Sequence, residues 1–461
     1  MQAKLTNNAT QDSPFKLLLL AFPLILANIT TPLLGLVDTA ILGHMEHSYY
    51  LAGASIATLI LTQLYWICGF LKMSVTGLSA QSKSQSSEQQ LKLLVQALAI
   101  GLVIGVLFVL LQKPILQAGL FFVQSADNSS GFAQSTREYF TVRVWGAPAA
   151  LANLALVGWL IGQQKTKQIL GLQVAVNVIN IVLSMLFVFV FHWGIKGVAA
   201  ATLVAEYSLL ALSLLTAKQI LDKNTDTQHE HNNTLTALMR GIQEWLTLRA
   251  LLPLLNLNTH ILFRNLALQF TLAFLTFTGA GFGAQTAATN AILMQFFALI
   301  ALGLDGVANA TEALVGEHKG AKAHKKLIRE LKFGLLWSST FALLYSLTFW
   351  LFGEGIINIL TDQQALRDSA ISYLGLMILL PVIAHWCFLM DGVFVGLTQG
   401  RAMRDSMIIS AIFGFFAVWW FIADMENVGL WLALLSFLAC RGIILGLWFV
   451  ILLRRRAIIN D

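Results

Sequence analysis

Five carboxylates interrupt otherwise apolar runs of this chain: Asp38, Glu206, Asp305, Glu312 and Asp391. A carboxylate at the centre of a membrane helix costs roughly 2.5–3.5 kcal/mol on insertion scales, so one is kept mainly where it faces a cavity, a partner or an ion path. Asp38 lies in Pro32-Leu33-Leu34-Gly35-Leu36-Val37-Asp38-Thr39, with no basic residue within a turn of it on the same helix. A carboxyl taken out of water is harder to ionise, so such a group can hold a proton at neutral pH and release it when water enters. Pro23 and Pro32 weaken the same stretch, because proline removes an intrahelical hydrogen bond and clashes with the preceding turn. A titrating carboxylate on a bendable helix fits a coupled transporter; the plainer reading is a polar anchor against neighbouring helices.

Asn153, Asn177, Asn180, Ser184 and Thr202 form a second set. The spacing of Asn177, Asn180 and Ser184 puts them on one helical face, where they either line a cavity with Asp38 or hold helices together. In the second half, Arg264 invites an ion pair with Asp305, Glu312 or Asp391, a structural or gating contact, or else the acids form a second cation site. Glu206 shows no evident partner in the sequence. Tyr65, Trp66, Phe296 and Phe297 fall at corresponding places of the two halves and either wall a cavity or pack the core. Cys68, Cys387 and Cys440 lack disulfide or metal-ligand spacing and read as apolar fillers. His44 and His47 flank Glu46 in a short loop, and no metal site is expected. There is no phosphate-binding Gly-x-x-x-x-Gly-Lys-Ser/Thr loop, zinc-protease helix or nucleophile elbow, so an ion gradient is the natural energy source.

The elements that carry these residues follow from composition. Of 461 residues, 57% are hydrophobic and 11% are charged, against about 25% charged in soluble domains; most of the surface must face lipid. Residues 1–14 are polar without a signal-type cleavage site, so the run from Phe15 is expected to remain as the first span. Apolar runs long enough to cross a bilayer fall near 15–43, 51–79, 91–112, 138–162, 169–191, 197–217, 251–278, 285–314, 333–352, 371–398, 406–423 and 429–453. Twelve spans place both termini on one side, and that side collects 21 of the 29 Lys and Arg residues. By the positive-inside rule it is the cytoplasmic side. The formal charge of +6 is then a basic membrane rim, and no nucleic-acid partner is expected.

The longest polar stretch, from Lys218 to Arg240 and containing His229-Glu230-His231, separates two six-span halves. Residues 1–217 and 251–461 are expected to form two lobes joined by a linker over 218–250. The halves also match each other: Ile60, Leu61 and Gln63 fall on Ile292, Leu293 and Gln295, and Gly158, Gly162 and Lys167 on Gly392, Gly396 and Arg401. Six spans followed by six make a parallel repeat, which in transporters places the substrate path between the halves. The expected fold is an all-α integral membrane protein of twelve transmembrane helices in two six-helix lobes related by a pseudo-two-fold axis.

Motif order now carries a resemblance. Phe22-Pro23-Leu24-Ile25 leading into Leu36-Val37-Asp38-Thr39-Ala40-Ile41-Leu42-Gly43 resembles the first-helix signature of the multidrug and toxic compound extrusion (MATE) family, in its DinF-like branch. The run from Gly194 to Thr202 is similar to that family's entry to helix six. Asp305-Gly306-Val307-Ala308-Asn309-Ala310 and the run from Met390 to Gly396 resemble motifs of its second half. The resemblance implies alternating-access export of small organic, amphipathic or cationic drug-like compounds in exchange for protons or sodium. It also implies a bacterial inner membrane, a monomer, and no cofactor besides the ion gradient. It assigns proton coupling to Asp38, the helix bend to Pro23, an N-lobe cavity to Asn153, Asn177, Asn180, Ser184 and Thr202, and a C-lobe polar network to Arg264, Asp305 and Asp391. The family's Asn-x-x-Leu-Asp pattern falls on Asn180 to Ser184, where serine replaces the second acid; one carboxylate then handles coupling in that lobe, which favours protons over sodium. The rivals are a lipid-linked oligosaccharide flippase, which needs a strongly basic cavity, a sodium-coupled exporter, an intramembrane enzyme and a passive channel.

Overall fold

The computed structural model describes residues 13–45, 47–123, 130–227 and 241–455. Among them every regular element is helical. The membrane-length helices are α1 Pro14–Gly43, α2 Ser48–Ser82, α3 Ser87–Leu110, α4 Gly131–Gly162, α5 Thr166–Val190, α6 Ile195–Thr227, α7 Leu248–Gly281, α8 Ala284–Gly320, α9 His324–Leu360 and α10 Leu374–Gly396. The remaining apolar stretch, Gly400–Arg454, has 55 residues, far more than one crossing needs. It divides at a 3-10 turn, Ala423–Met425, followed by Glu426 in a left-handed conformation (φ 48°). This gives α11 (400–422) and α12 Glu426–Arg454, and the expected total of twelve.

Within the helices, regular α geometry is interrupted or carries proline at a few places. α4 contains a 3-10 turn at Val144–Gly146 and resumes with Pro148 in the first turn of the next segment, where its missing N–H costs nothing. Pro253 lies inside α7 and Pro381 inside α10. α5 widens into a π-turn at Leu186–Val190 and α11 into another at Ser410–Phe416. α1 stays helical across Pro23 and Pro32. Trp420 and Phe421 are 82% and 83% exposed, a degree of apolar exposure that only a lipid environment stabilises.

Several boundaries differ from expectation. α4 begins about two turns before residue 138, because its polar opening is tied within the helix: Thr136 Oγ1 donates to Phe132 O (3.0 Å) and Gln134 Nε2 to Glu138 Oε1 (2.9 Å). Lys218 to Thr227, expected in the linker, prolong α6; the remainder of that stretch, including His229-Glu230-His231, lies outside the described residues. Glu46 also lies outside them. Two short helices, Gln112–Val123 and Gln364–Ser372, occupy matching places after α3 and α9.

The chain forms two compact units. One comprises Leu26–Asn256; the other comprises Leu257 onward together with the helix up to Ile25. The grouping of α1 therefore changes between Ile25 and Leu26, just past Pro23. In the second unit, Leu17 and Ala21 of α1 are fully buried against Val307, Ala310 and Leu314 of α8. In the first, Ile41 and Leu42 pack with Ala54, Ala57 and Leu61 of α2 and Tyr139 and Phe140 of α4. The repeat is visible in each unit separately. A Cβ on Gly158 would overlap the backbone of Lys72 on α2, and one on Gly392 would overlap the backbone of Ala308 on α8. Gly162 and Gly396 repeat the contact one turn later, so α4 and α10 each lie backbone to backbone on the second helix of their own half.

Candidate functional site

In the first unit, helices α1, α2, α4, α5 and α6 bring their polar side chains to one place. Asp38 of α1 is half-buried, and its Oδ1 is shielded and makes no hydrogen bond among the described residues. Its carboxyl lies beside the Ser184 hydroxyl and within electrostatic reach of Arg143. Ser184 and Asn180 are fully buried on one face of α5, as their spacing predicts, and the Ser184 hydroxyl also reaches Asn180 Oδ1 (3.3 Å).

Glu206 is not alone. Its Oε2 lies 2.8 Å from Arg143 Nη1 of α4, with both side chains largely buried. Asn153 Nδ2 donates to the backbone carbonyl of Glu206 (2.9 Å), and the Tyr207 hydroxyl donates to Trp145 O (3.0 Å). These bonds tie α6 to α4 beside the pair. Gly146 completes the fit, since a Cβ there would overlap the Glu206 carboxylate. Tyr65 of α2 and Tyr139 of α4 turn their phenols toward the same charges.

The remaining members of the expected set serve α-helix contacts. Asn177 Nδ2 donates to Thr30 O of α1 (3.2 Å), where the backbone of that helix carries a proline two residues further on. Thr202 Oγ1 donates to Val198 O of its own helix (3.1 Å), so its hydroxyl proton is directed one turn back. Of the paired aromatics, Phe296 is fully buried and packs edge-on against Phe349 (4.8 Å), while Trp66 is exposed; Phe296 is core.

In the second unit, Asp391 of α10 accepts from Arg264 of α7 and also from Arg441 of α12. Both guanidinium groups are buried, and Arg264 Nη1 additionally donates to Asn265 Oδ1 (2.9 Å). Asp305 stands exposed on α8 yet within electrostatic reach of both arginines, and Glu312, two turns along, is buried and senses Arg264. The expected Arg264–Asp391 contact is therefore present, and Arg441 joins it. A buried carboxylate shared by two guanidiniums is held with great rigidity, because releasing it would leave unpaired charge out of water. The shared carboxylate joins α7, α10 and α12.

Arg143 and Arg441 had no assigned role in the sequence. The usable signal was charge itself: each is one of only four basic residues well inside the predicted spans, away from their ends, and a buried charge requires a partner. The three cysteines are free thiols; Cys68 and Cys387 are buried and Cys440 is half-buried.

Comparison with known proteins matches this architecture. The MatE family model matches residues 23–186 and 261–420, one segment in each half. The DNA damage-inducible protein F of Escherichia coli (strain K12) is 38% identical over 432 residues, which cover 93% of this chain and 90% of that protein. The chloroplastic protein DETOXIFICATION 44 of Arabidopsis thaliana is 26% identical over 448 residues, covering 93% and 80%. Among solved structures, a MATE protein in the bent conformation superposes with a TM-score of 0.82 at 17% identity, over 96% of this chain and 95% of that one. An outward-facing multidrug resistance MATE family transporter of the MOP superfamily gives 0.81 at 18% identity, over 97% of each. These likenesses carry the fold; the family rests on the model match and on the bacterial relative. The chain is a multi-pass membrane protein that belongs to the MatE family of transporters, in its DinF-like branch.

Proposed function

We propose that this protein exports small organic, amphipathic or cationic compounds across a bacterial cytoplasmic membrane in exchange for protons, with both termini cytoplasmic and Asp38 as the coupling carboxylate. The observation that carries this reading is the setting of Asp38: a carboxyl with one oxygen unbonded among the described residues, beside Ser184, on a helix that changes its grouping just past Pro23. Ionised, Asp38 is costly to keep out of water; protonated, it is a neutral donor that buried polar groups accommodate. Proton binding thus favours the state in which water is excluded from Asp38, and proton release favours the state in which water enters. A proline that removes one helical hydrogen bond lowers the cost of bending α1 between the two, and the proton shifts their populations.

Proton coupling is supported over sodium by the serine at 184, which leaves one anionic side chain beside Asn180, and by the Arg143 guanidinium nearby. Export of organic compounds is supported over lipid-linked oligosaccharide flipping by the pairing of Arg143, Arg264 and Arg441 with carboxylates, because a diphosphate-binding cavity needs basic charge that is not already neutralised. The test is gradient-driven efflux of a fluorescent cationic dye from proteoliposomes, with Asp38→Asn as the decisive variant.

A further inference from the structure

Two carboxylates and one guanidinium share the polar centre of the first unit. Arg143 is paired to Glu206 at 2.8 Å, yet its charge also reaches Asp38. The charged and titratable groups converging on this centre come from each neighbouring helix: Tyr65 and Cys68 from α2, Tyr139 and Arg143 from α4, and Glu206 and Tyr207 from α6. α5 contributes the uncharged Asn180 and Ser184. The phenols and the thiol are ordinarily neutral at pH 7, so among the described residues the charge balance is set by Asp38, Arg143 and Glu206.

Glu206 is the immobile member. Asn153 bonds its backbone, Tyr207 ties the next residue to Trp145, and Gly146 leaves the space its carboxylate fills. Arg143, by contrast, reaches its partner through a long and rotatable side chain. We infer that Glu206 is a positioning residue for proton coupling: it retains the Arg143 guanidinium and so keeps it from pairing with Asp38. This rests on the reading of Asp38 as the proton carrier. With Arg143 neutralised by Glu206, the only charge change in the site during turnover is the proton on Asp38. Without Glu206, the guanidinium has one carboxylate left to bind, and it holds Asp38 ionised.

The direction of the effect follows from charge. An arginine newly paired with an aspartate lowers the pH at which the acid takes up a proton by about one to three units. Carbodiimide modification of Asp38, which requires the protonated carboxyl and is read by peptide mass spectrometry, should therefore shift to lower pH in Glu206→Gln by at least about one unit. The pH for half-maximal dye exchange should move the same way. Glu206→Asp keeps the charge but sets it back by one methylene, so its midpoint should fall between wild type and Glu206→Gln. The double variant Arg143→Gln with Glu206→Gln removes both charges and should return the modification midpoint to within about half a unit of wild type. If Glu206→Gln does not fold, the Glu206→Asp shift decides the matter. Midpoints in Glu206→Gln and Glu206→Asp that coincide with wild type, whatever their yields, overturn the inference and leave Glu206 as a packing contact. A shifted modification midpoint together with wild-type exchange that ignores the pH gradient would uphold Glu206 as the retainer of Arg143 while refuting proton-driven export.

Discussion

Arg143 Nη1 and Glu206 Oε2 meet at 2.8 Å between α4 and α6, and two further hydrogen bonds join the same helices nearby, Asn153 Nδ2 to the Glu206 carbonyl and the Tyr207 hydroxyl to the Trp145 carbonyl. Inside a membrane protein such a pair is costly to break and cheap to replace. Removing one partner of a buried ion pair costs about 3–5 kcal/mol, whereas exchanging both for apolar groups of similar volume is often neutral. Arg143→Met is accordingly expected to lower sharply the temperature at which the detergent-solubilised protein loses monodispersity. Arg143→Met with Glu206→Leu should recover most of the loss. Equal damage from the single and double variants would contradict the pairing.

The backbone contacts of Gly158 on Lys72 and of Gly392 on Ala308 predict a symmetric steric effect. Gly158→Leu and Gly392→Leu should each abolish accumulation of folded protein, because backbone cannot retreat as a flexible side chain can, and overpacking a dense interface costs at least about 1–3 kcal/mol. Gly171 has open space where its Cβ would go, so Gly171→Ala should accumulate at wild-type levels. Size-exclusion profiles of the three variants provide the check.

If Asp38 is the one coupling carboxylate, with serine rather than a second acid at position 184, a stoichiometry follows. One proton entering for each monovalent cation leaving moves no net charge. Such exchange draws on the pH gradient, about 1.4 kcal/mol per pH unit, and not on the membrane potential, which would supply about 2.3 kcal/mol per 100 mV for each net charge. Steady-state gradients of a monovalent dye should therefore rise about tenfold per pH unit and stay unchanged when valinomycin and potassium set the potential. A gradient that follows the potential would require a second proton per cycle.

Pro23 precedes by two residues the point at which α1 changes its grouping. Pro23→Ala restores the missing helical hydrogen bond and should slow exchange several-fold at unchanged expression, by making the bent state of α1 harder to reach. Unchanged exchange rates would show that the helix turns elsewhere or not at all.

The helices were legible because lipid imposes a long, unbroken apolar requirement on each crossing, and the intramembrane acids stood out against that background. Asp38, Asn180 and Ser184 could be grouped because Asn180 and Ser184 are one turn apart on the same face. The partnership of Glu206 with Arg143, and that of Arg441 with Asp391, were not legible: each joins two helices whose rotation and height are fixed only by packing. The bond of Thr202 to the carbonyl one turn back was likewise not legible, since no spacing reveals which helical threonines bond their own backbone. The polar start of α4 and the extension of α6 to Thr227 lie where helices leave the apolar layer, and there hydropathy carries no boundary signal.

If a proton on Asp38 drives export, efflux of a fluorescent cationic dye from proteoliposomes under an imposed pH gradient must depend on that carboxyl. Wild-type protein should drive efflux that scales with the gradient, and Asp38→Asn, folded and inserted at equal density, should lose that dependence. Efflux that remains gradient-driven in Asp38→Asn would contradict the account and move coupling to another carboxylate, with Asp305 and Asp391 the next to be replaced.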